Sequence, residues 1–222
     1  MRLLDLFSGA GGCSVGYHRA GFTKIVGVDF NPQPHYPYEF VQGDALKFLR
    51  KYGRKFDAIH ASPPCQRYSI SKRLHDTYGL HHPDLVGPTR EILKEIGKPW
   101  VIENVVGAPM RGSILLCGTM FGLRVYRHRL FLSNLWDGAG LRRMNYRTPR
   151  HGRHVELVVR TIGRRPYDGM PFVSVFGHDF NRHDASDAMK IDWMPKAKEL
   201  AQAIPPAYTE WVGRHLLSSL RK

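Results

Sequence analysis

Near its start the chain reads Leu3-Leu4-Asp5-Leu6-Phe7-Ser8-Gly9-Ala10-Gly11-Gly12, an apolar strand pattern that runs straight into a glycine loop. A helical segment, Cys13–Ala20, follows the loop and stops before Gly21. Lys24–Asp29 then predicts a second strand with an acid at its end. This order of segments predicts an open α/β sheet that binds ligands at the carboxyl ends of its strands.

The same segment predicts a site for a nucleoside cofactor; a mere tight turn is the alternative. Glycines let the backbone approach a ligand, and the start of a helix offers free N–H groups. A carboxylate at Asp29 suits the two hydroxyls of a ribose. We expect the neighbouring Phe30 to lie against an adenine ring or, alternatively, in the core. After a third predicted strand, Glu39–Gln42, we expect Asp44 to accept from the adenine amino group, to cap the next helix, or both.

A second motif, Ser62-Pro63-Pro64-Cys65-Gln66, follows a short apolar strand, Phe56–Ala61. Each proline lacks the N–H that a strand ladder needs, so the strand must end there. The loop therefore presents Cys65 at the carboxyl edge of the sheet, where ligands bind in such folds. A nucleophile is the favoured interpretation of Cys65, and a buried structural thiol is the alternative.

Two further motifs place charged side chains near the same edge. Lys98–Val105 predicts a strand that is apolar until Glu103, the third acid at that edge; a solvated carboxylate is the alternative. Arg124–Leu132 alternates and predicts a strand with Arg127 and Arg129 side by side on one face. Two arginines aimed at a cleft suit a phosphate, or a carboxylate together with a base; an exposed edge strand is the alternative.

The composition favours a polyanionic partner. The 222 residues carry 33 Lys and Arg against 19 Asp and Glu, which gives a formal net charge of +14. Nucleic acid is the simplest partner for such a charge, and a general compositional bias is the alternative. Eight arginines and one acid between Arg142 and Arg165 favour contacts to a phosphate backbone. The polar stretch Arg67–Pro83 predicts a mobile loop at the active site.

Other features argue against several classes of protein. No run of about 18 apolar residues is present, so no membrane span is expected. The chain opens with a strand pattern where a signal peptide would stand, and its three cysteines favour a reducing compartment. We therefore expect a cytoplasmic location, in a bacterium or a virus-infected host cell. His81-His82 has no second cluster at ligand spacing, so no metal site is expected.

The remaining segments fall into two groups. Further helices are expected at Ala45–Arg50, at Leu85–Ile96 after a cap by Asp84, at Lys196–Gln202 and, after Pro205-Pro206, at Ala207–Leu220. The last of these has an apolar face that must pack back on the sheet. Three other segments are expected to be short or irregular: Arg111–Gly122 a turn-rich connection, Pro171–Gly177 a strand, and Asp179–Asp187 a polar loop.

Taken together, these motifs resemble those of the cytosine-5 DNA methyltransferase family. The similar segments follow the family's order along nearly the whole chain, namely Asp5–Gly12, Gly27–Asp29, Gly43-Asp44, Pro64–Gln66, Glu103–Val105, Arg127–Arg129 and Ala201–Pro206. The combination of Pro-Cys-Gln with Glu-Asn-Val is the specific part. The chain departs from the family at Val125, where glutamine is frequent, and at Ala201-Gln202, where glycine and asparagine are usual.

The resemblance implies a fold and a domain organisation. The fold would be α/β, with the Rossmann-like sheet of class I methyltransferases flanked by helices, and with a small basic recognition lobe. The catalytic and cofactor-binding domain would cover residues 1–133, the recognition region 134–192, and the returning C-terminal helices 193–222.

The resemblance also implies the roles of individual residues. Cys65 would add to the cytosine ring, Glu103 would protonate it, and Arg129, supported by Arg127, would hold the base. S-adenosylmethionine, which leaves as S-adenosylhomocysteine, would contact Asp5, Phe7, Ser8, Gly9, Gly11, Gly12, Asp29, Phe30, Asp44, Ala45, Pro64 and Gln202. Nucleic acid would contact Gln66, Ser69, Lys72, Arg73, Arg142, Arg143, Arg147, Arg150, Arg153, Arg164 and Arg165.

The implied activity is DNA (cytosine-5) methylation of a flipped cytosine, by a monomer that needs neither a metal nor an obligate protein partner. Two alternatives stay open. One is the same chemistry on transfer RNA or on a free nucleotide. The other is a non-catalytic, DNA-binding accessory protein.

Overall fold

The computed structural model of the chain describes residues 1–68, 83–136, 172–177 and 180–221. Within these ranges seven strands form one sheet, namely β1 (Arg2–Leu6), β2 (Lys24–Asp29), β3 (Glu39–Gln42), β4 (Ala58–Ala61), β5 (Trp100–Asn104), β6 (Ile114–Leu116) and β7 (Arg129–Ser133). Their order across the sheet is β3-β2-β1-β4-β5-β7-β6. The predicted open α/β sheet is thereby confirmed.

The direction of the strands creates the edge at which a ligand can bind. Strands β1 to β5 run parallel, whereas β7 is antiparallel to both β5 and β6. The order reverses between β1 and β4, and the crevice outside the carboxyl ends of strands at such a reversal is the usual ligand site of open α/β sheets. The glycine loop after β1 and the Cys65 loop after β4 meet at this point.

Six helices flank the sheet in the part of the chain that the structure describes. They are α1 (Gly12–Ala20), α2 (Ala45–Tyr52), α3 (Val86–Ile96), α4 (Arg182–Met189), α5 (Ala197–Gln202) and α6 (Pro206–Leu220). Gly21 ends α1 in the left-handed region, with φ 118°, as predicted. Asp44 caps α2, because its Oδ1 accepts from the N–H groups of Leu46 and Lys47.

Two hydrophobic cores lie on opposite faces of the sheet. The alternation of β1 sends Leu3 into one core and Leu4 and Leu6 into the other. The first core is filled mainly by α1 and α6, and the second by α2 and α3. The predicted return of the last helix to the sheet is confirmed.

The contact between α1 and α6 is close enough to require glycine. A Cβ on Gly16 would overlap the Thr209 hydroxyl oxygen and the carbonyl oxygen of Pro206. The Thr209 hydroxyl also donates to the carbonyl oxygen of Cys13 over 2.8 Å. The first helix of the chain is therefore clamped by the last one, directly behind the glycine loop.

Four local predictions are wrong. The strand expected over Arg124–Leu132 begins only at Arg129, because Arg127 has φ 23° and breaks the alternation. The connection expected to be turns contains β6 and a 3₁₀ turn, Gly118–Phe121. The expected polar loop forms α4, which Asn181 caps through two backbone N–H groups. Residues 172–177 form no strand.

The predicted recognition region, 134–192, falls largely outside the described residues. Ala185, Ala188 and Met189 of its described part are buried in the core of α1 and α6. The domain boundaries remain a prediction. Within the described ranges, no helix has both the length and the apolar character that crossing a membrane requires.

We predict that Gly16→Ala destabilises the fold. The added methyl group forces α1 and α6 apart, and overpacking of this kind costs about 1–3 kcal/mol of unfolding free energy. Chemical denaturation followed by circular dichroism measures the loss. Gly87→Ala is the matched control: Gly87 lies in α3 with open space around the added Cβ, and alanine is the better helix former. Equal stability of the Gly16→Ala variant and the native chain would contradict the tight helix contact.

Candidate active site

A cleft of about 500 Å³ lies where the carboxyl ends of β1, β2, β4 and β5 meet. The glycine loop forms one wall, and the Cys65 loop forms another. The segment after α5, with Ala203 and Ile204, closes a third side. The cleft is thus built by the ends of parallel strands and is closed by residues from the far end of the sequence.

The glycine loop is held in a conformation that most side chains do not tolerate. Gly11 has φ 86° and caps the start of α1, and a Cβ there would press on Tyr36 and Pro37. A Cβ on Gly12 would overlap the carbonyl oxygen of Ile204. The loop therefore passes close to its neighbours and leaves its backbone exposed to the cleft.

Asp29 fastens the loop to the end of β2. Its Oδ2 accepts from the Gly9 N–H over 3.0 Å, and its Oδ1 accepts from the Asn31 N–H over 3.0 Å. Each carboxylate oxygen has room for a second hydrogen bond, so Asp29 remains able to receive a ligand hydroxyl. Asp44 uses only Oδ1 for its cap. Both acids line the cleft.

Phe30 lies open to solvent at the rim of the cleft, with 76% of its surface exposed. The alternative of a core aromatic is therefore wrong. An exposed aromatic ring beside two carboxylates is an arrangement that suits a stacked base.

Cys65 stands half-buried in the cleft, on the loop that the two prolines force out of β4. The Asn104 side-chain amide donates to the carbonyl oxygen of Pro63 over 2.8 Å and holds this loop against β5. Burial raises the pKa of the Cys65 thiol, the Arg129 guanidinium lowers it, and the Glu103 carboxylate raises it. The cleft therefore needs a cationic neighbour to make this sulfur a thiolate.

Glu103 and Arg129 form an ion pair in the same cleft. Arg129 Nε lies 3.1 Å from Glu103 Oε1, and only 6% of the Glu103 side chain is exposed. Burial raises the pKa of Glu103, and the charge of Arg129 lowers it. A buried carboxyl with a raised pKa can carry a proton closer to neutrality than an exposed one.

Asp5 is fully buried beneath the glycine loop. The Ser14 hydroxyl donates to its Oδ2, and Oδ1 has no hydrogen-bond partner among the described residues. Burial raises the pKa of Asp5 from 3.8 to about 8, and the nearby charges of Asp29 and Glu103 add to the effect. An acid kept in so unfavourable a place indicates a site selected for binding and not for stability.

Arg127 does not line the cleft beside Arg129. Its guanidinium donates to the carbonyl oxygens of Val175 over 2.7 Å and Ala201 over 2.6 Å. Burial lowers the pKa of Arg127 to about 9. The predicted side-by-side pair is therefore wrong in geometry, because the turn at Arg127 sends its side chain to the backbone that precedes Gln202.

Comparison with known proteins decides the family. The sequence profile of the family described as C-5 cytosine-specific DNA methylase matches residues 1–109. The type II methyltransferase M.HgiGI of Herpetosiphon aurantiacus is 31% identical over 119 residues, which cover 47% of this chain and 90% of that protein. The chain belongs to the C-5 cytosine-specific DNA methylase family.

Other relatives in this methylase family match over a smaller share of their length. The type II methyltransferase M.FnuDI of Fusobacterium nucleatum is 36% identical over 116 residues, 48% of this chain and 33% of that protein. M.AquIA of Picosynechococcus is 30% identical over 126 residues, which cover 49% of it. The match thus spans half or less of these two relatives.

A solved structure supports the fold. It is provisionally assigned as a DNA modification methyltransferase encoded within an E. coli prophage, and it aligns with a TM-score of 0.62 at 14% identity. The alignment covers 100% of both chains. At this identity the likeness concerns the fold alone. Together with the strand order, it confirms the predicted fold of class I methyltransferases.

The structure brings most of the site residues expected for the methylase family into this one cleft. Those that line it are Asp5, Phe7, Ser8, Gly9, Gly12, Asp29, Phe30, Asp44, Ala45, Pro64, Cys65, Gln66, Glu103, Arg129 and Gln202. Gly11 and Arg127 are the described exceptions. Ser69, Lys72, Arg73 and the arginines from Arg142 to Arg165 lie outside the described residues.

Several lining residues escaped prediction. Some are neighbours of the predicted motifs, such as Ser62, Pro63 and Leu46. Glu199 carried no signal, because only the fold brings it to the cleft, where its Oε1 lies 2.8 Å from His35 Nδ1. Among the described residues, no group of three or more His, Cys, Asp or Glu side chains is arranged to hold a metal ion.

We predict that Asp5→Asn makes the fold more stable at pH 8. The raised pKa of Asp5 means that the native state loses stability as the pH rises from about 3.8 to about 8, since over this range the unfolded chain ionises the carboxyl while the buried one keeps its proton. Asparagine does not ionise. The stability difference between variant and native chain should therefore grow from pH 4 to pH 8, up to several kcal/mol. Urea denaturation across this range measures it, and a pH-independent difference would refute the assignment.

Proposed function

We propose that the protein transfers a methyl group from S-adenosylmethionine to carbon 5 of cytosine in DNA. The observation that carries this proposal is the convergence of Cys65, Glu103 and Arg129 in one cleft with the glycine loop and Asp29. Family membership supports the same reaction. A non-catalytic accessory protein would have no use for a nucleophile, a buried acid and a guanidinium held together.

The residues of the cleft fit the proposed cofactor. Asp29 would receive the ribose hydroxyls, Asp44 the adenine amino group, and Phe30 would stack on the adenine ring. The unpartnered Oδ1 of buried Asp5 fits a polar or cationic group of the bound molecule. When bound, S-adenosylmethionine supplies a methyl group that its positive sulfur makes electrophilic.

Cys65 would activate the cytosine. Carbon 5 of cytosine is a poor nucleophile, but addition of a thiolate to carbon 6 makes the ring enamine-like. The Sγ–C6 bond forms after the Cys65 thiol has released its proton to solvent, which Arg129 favours by lowering the thiol pKa against the effect of burial. Loss of the hydrogen from carbon 5 to a base or water later breaks the Sγ–C6 bond and releases Cys65.

Glu103 would balance the charge that this addition creates. Thiolate addition places negative charge on the pyrimidine, and a proton from Glu103 to ring nitrogen 3 neutralises it. Burial suits Glu103 to this role because it raises the pKa of the carboxyl. Arg129 would hold the base carbonyl and the Glu103 carboxylate in register. Arg127 would contribute only from outside the cleft, by fixing the backbone at Ala201.

The DNA would be bound mainly through its phosphates. A cytosine inside a duplex must leave the stack to reach Cys65, at a cost of a few kcal/mol. Gln66 lines the cleft beside Cys65, and we propose that it contacts the flipped nucleotide. We propose that Ser69, Lys72, Arg73 and the arginines from Arg142 to Arg165 contact the backbone, since the net charge of +14 suits a polyanion.

We predict that Cys65→Ser lowers methylation by at least about 10³-fold, because the hydroxyl is a much weaker nucleophile than a thiolate. Binding of S-adenosylhomocysteine should be unchanged. Bisulfite sequencing of DNA from cells that express the chain measures activity and target context together. A 5-fluorocytosine oligonucleotide should trap the native chain covalently and fail to trap the variant.

The matched control for this test is Cys117→Ser, which changes a buried cysteine outside the cleft. It should form the same covalent adduct as the native chain. A Cys65→Ser protein that still methylates DNA would refute the proposed role of this thiol. Transfer RNA that competes for trapping better than DNA would instead favour an RNA substrate.

We predict that Glu103→Gln lowers kcat by about 10²–10⁴-fold, the usual contribution of a general acid. The amide keeps the size of the side chain but has no acidic proton to give. Affinity for DNA should change little, which fluorescence anisotropy can establish in parallel with single-turnover methylation. An unchanged kcat would show that the ring is protonated from elsewhere.

A further inference from the structure

We propose that Tyr17, His60 and Ser62 form a buried hydrogen-bond chain whose last hydroxyl donates to Glu103 and positions this acid. This inference rests on the proposed function, because it concerns the acid of that reaction. The three side chains are not among those that we propose to bind DNA or to form the covalent bond. They act through Glu103, and Ser62 is a positioning residue.

The chain of contacts runs from the first core to the floor of the cleft. The Tyr17 hydroxyl lies 2.8 Å from His60 Nδ1, and His60 Nε2 lies 2.9 Å from the Ser62 hydroxyl oxygen. Tyr17 and His60 are both fully buried, and Ser62 lines the cleft. The Ser62 N–H donates to the carbonyl oxygen of Leu6 over 3.0 Å, which fixes the backbone at this end.

His60 is not a cation in the proposed hydrogen-bond chain. Burial lowers its pKa to about 3, so the imidazole is neutral at any working pH. A neutral imidazole has one N–H donor and one acceptor nitrogen. Burial also raises the pKa of Tyr17 well above its ordinary value, so its hydroxyl keeps its hydrogen. The chain therefore consists of neutral groups, and its hydrogen bonds have a direction.

Only one direction satisfies every buried donor. If Tyr17 donates to His60 Nδ1, then Nε2 carries the hydrogen and donates to Ser62. The Ser62 hydrogen is then free to point at the Glu103 carboxylate. In the opposite direction, Ser62 donates to His60 Nε2, and Nδ1 carries the hydrogen and donates to Tyr17. The Tyr17 hydrogen then has no acceptor among the three side chains, and the Ser62 hydrogen points away from Glu103. An unsatisfied buried donor costs about 1–3 kcal/mol, which favours the first arrangement.

The Ser62 hydroxyl acts on the pKa of Glu103 in the same direction as Arg129. Its hydrogen bond lowers the pKa of Glu103, as the charge of Arg129 does, and both oppose the larger effect of burial. Ser62 does this without a charge, because it is a neutral donor. The carboxyl is thus held by one neutral hydrogen-bond donor and by its ion pair with Arg129.

We expect the other groups around Glu103 to stay in place when Ser62 is changed. The titratable and charged groups that interact with Glu103 are Asp5 of β1, Cys13 and Tyr17 of α1, Cys65 of the loop after β4, Arg127 and Arg129 at β7, and Tyr208 of α6. Ser62→Ala therefore removes the contacts of the hydroxyl with Glu103, with His60 Nε2 and with Cys13 Sγ, which lies 4.0 Å away, but it changes no charge.

We predict that Ser62→Ala raises the pKa of Glu103 and lowers kcat about tenfold, the rate equivalent of one ordinary hydrogen bond. Because activity is lost as Glu103 loses its proton, the alkaline limb of the kcat–pH profile should move to higher pH. Ser62→Thr, which keeps the hydroxyl, should restore the native limb. A lowered kcat with an unmoved limb would mean a merely structural role and overturn the proposal.

A measurement without methyl transfer separates this inference from the proposed function. In protein labelled at glutamate carboxyl carbons, the ¹³C signal absent from Glu103→Gln identifies Glu103. Its titration should shift to higher pH in Ser62→Ala and, less strongly, in Tyr17→Phe. The ¹⁵N signals of His60 should show the hydrogen on Nε2. A hydrogen on Nδ1 of His60, or a Glu103 titration that does not move, would refute the proposed hydrogen-bond chain even in an active enzyme. If the Glu103 titration shifts in a protein that methylates no DNA, the proposed hydrogen-bond chain stands and the proposed reaction is wrong.

Discussion

The ion pair between Glu103 and Arg129 is the constraint on which the rest of the site depends. It joins β5, the last of the parallel strands, to the antiparallel β7 beside it. Neither charge is stable alone in so buried a place, because taking an ion out of water costs several kcal/mol unless a partner compensates. Each group therefore keeps the other in position. The ion pair costs some stability because both groups are desolvated, but it fixes the positions of the carboxyl and the guanidinium before any ligand binds.

The cleft and the chain as a whole carry opposite electrostatic character. Acids dominate the described lining, with Asp5, Asp29, Asp44, Glu103 and Glu199, and Arg129 is its one Lys or Arg side chain. The chain nevertheless has a formal net charge of +14. An acidic interior suits a cationic cofactor, whereas a basic exterior suits a polyanion. The two proposed ligands are thus attracted to different parts of the protein and do not compete for the same surface.

The sequence predicts those parts of the molecule whose residues are set by local chemistry. Prolines mark the end of β4, and Gly21 marks the end of α1, so these boundaries follow from backbone geometry. The arrangement of Arg127 and Arg129 does not follow from local chemistry. The alternating sequence pattern continues through Arg127, but the contacts of Arg127 in the fold impose a positive φ there. Glu199 is beyond local inference as well, since its partner His35 lies 164 residues away along the chain. The contacts of buried His60 with Tyr17 and Ser62 are also set by the fold.

The closure of the cleft by the segment after α5 also governs when the site comes into being. The Trp193 indole donates to the carbonyl oxygen of Ala10 across 183 residues of chain, and Thr209 reaches Cys13 across 196. Contacts so distant in sequence form late and slowly, since a long loop must close before they stabilise anything. On the ribosome, the glycine loop emerges well before the segment that closes over it, since the contacts that join them span 183 and 196 residues. A nascent chain that ends before this segment would hold Cys65 without an enclosed pocket, so the cleft forms only after the segment has been synthesised.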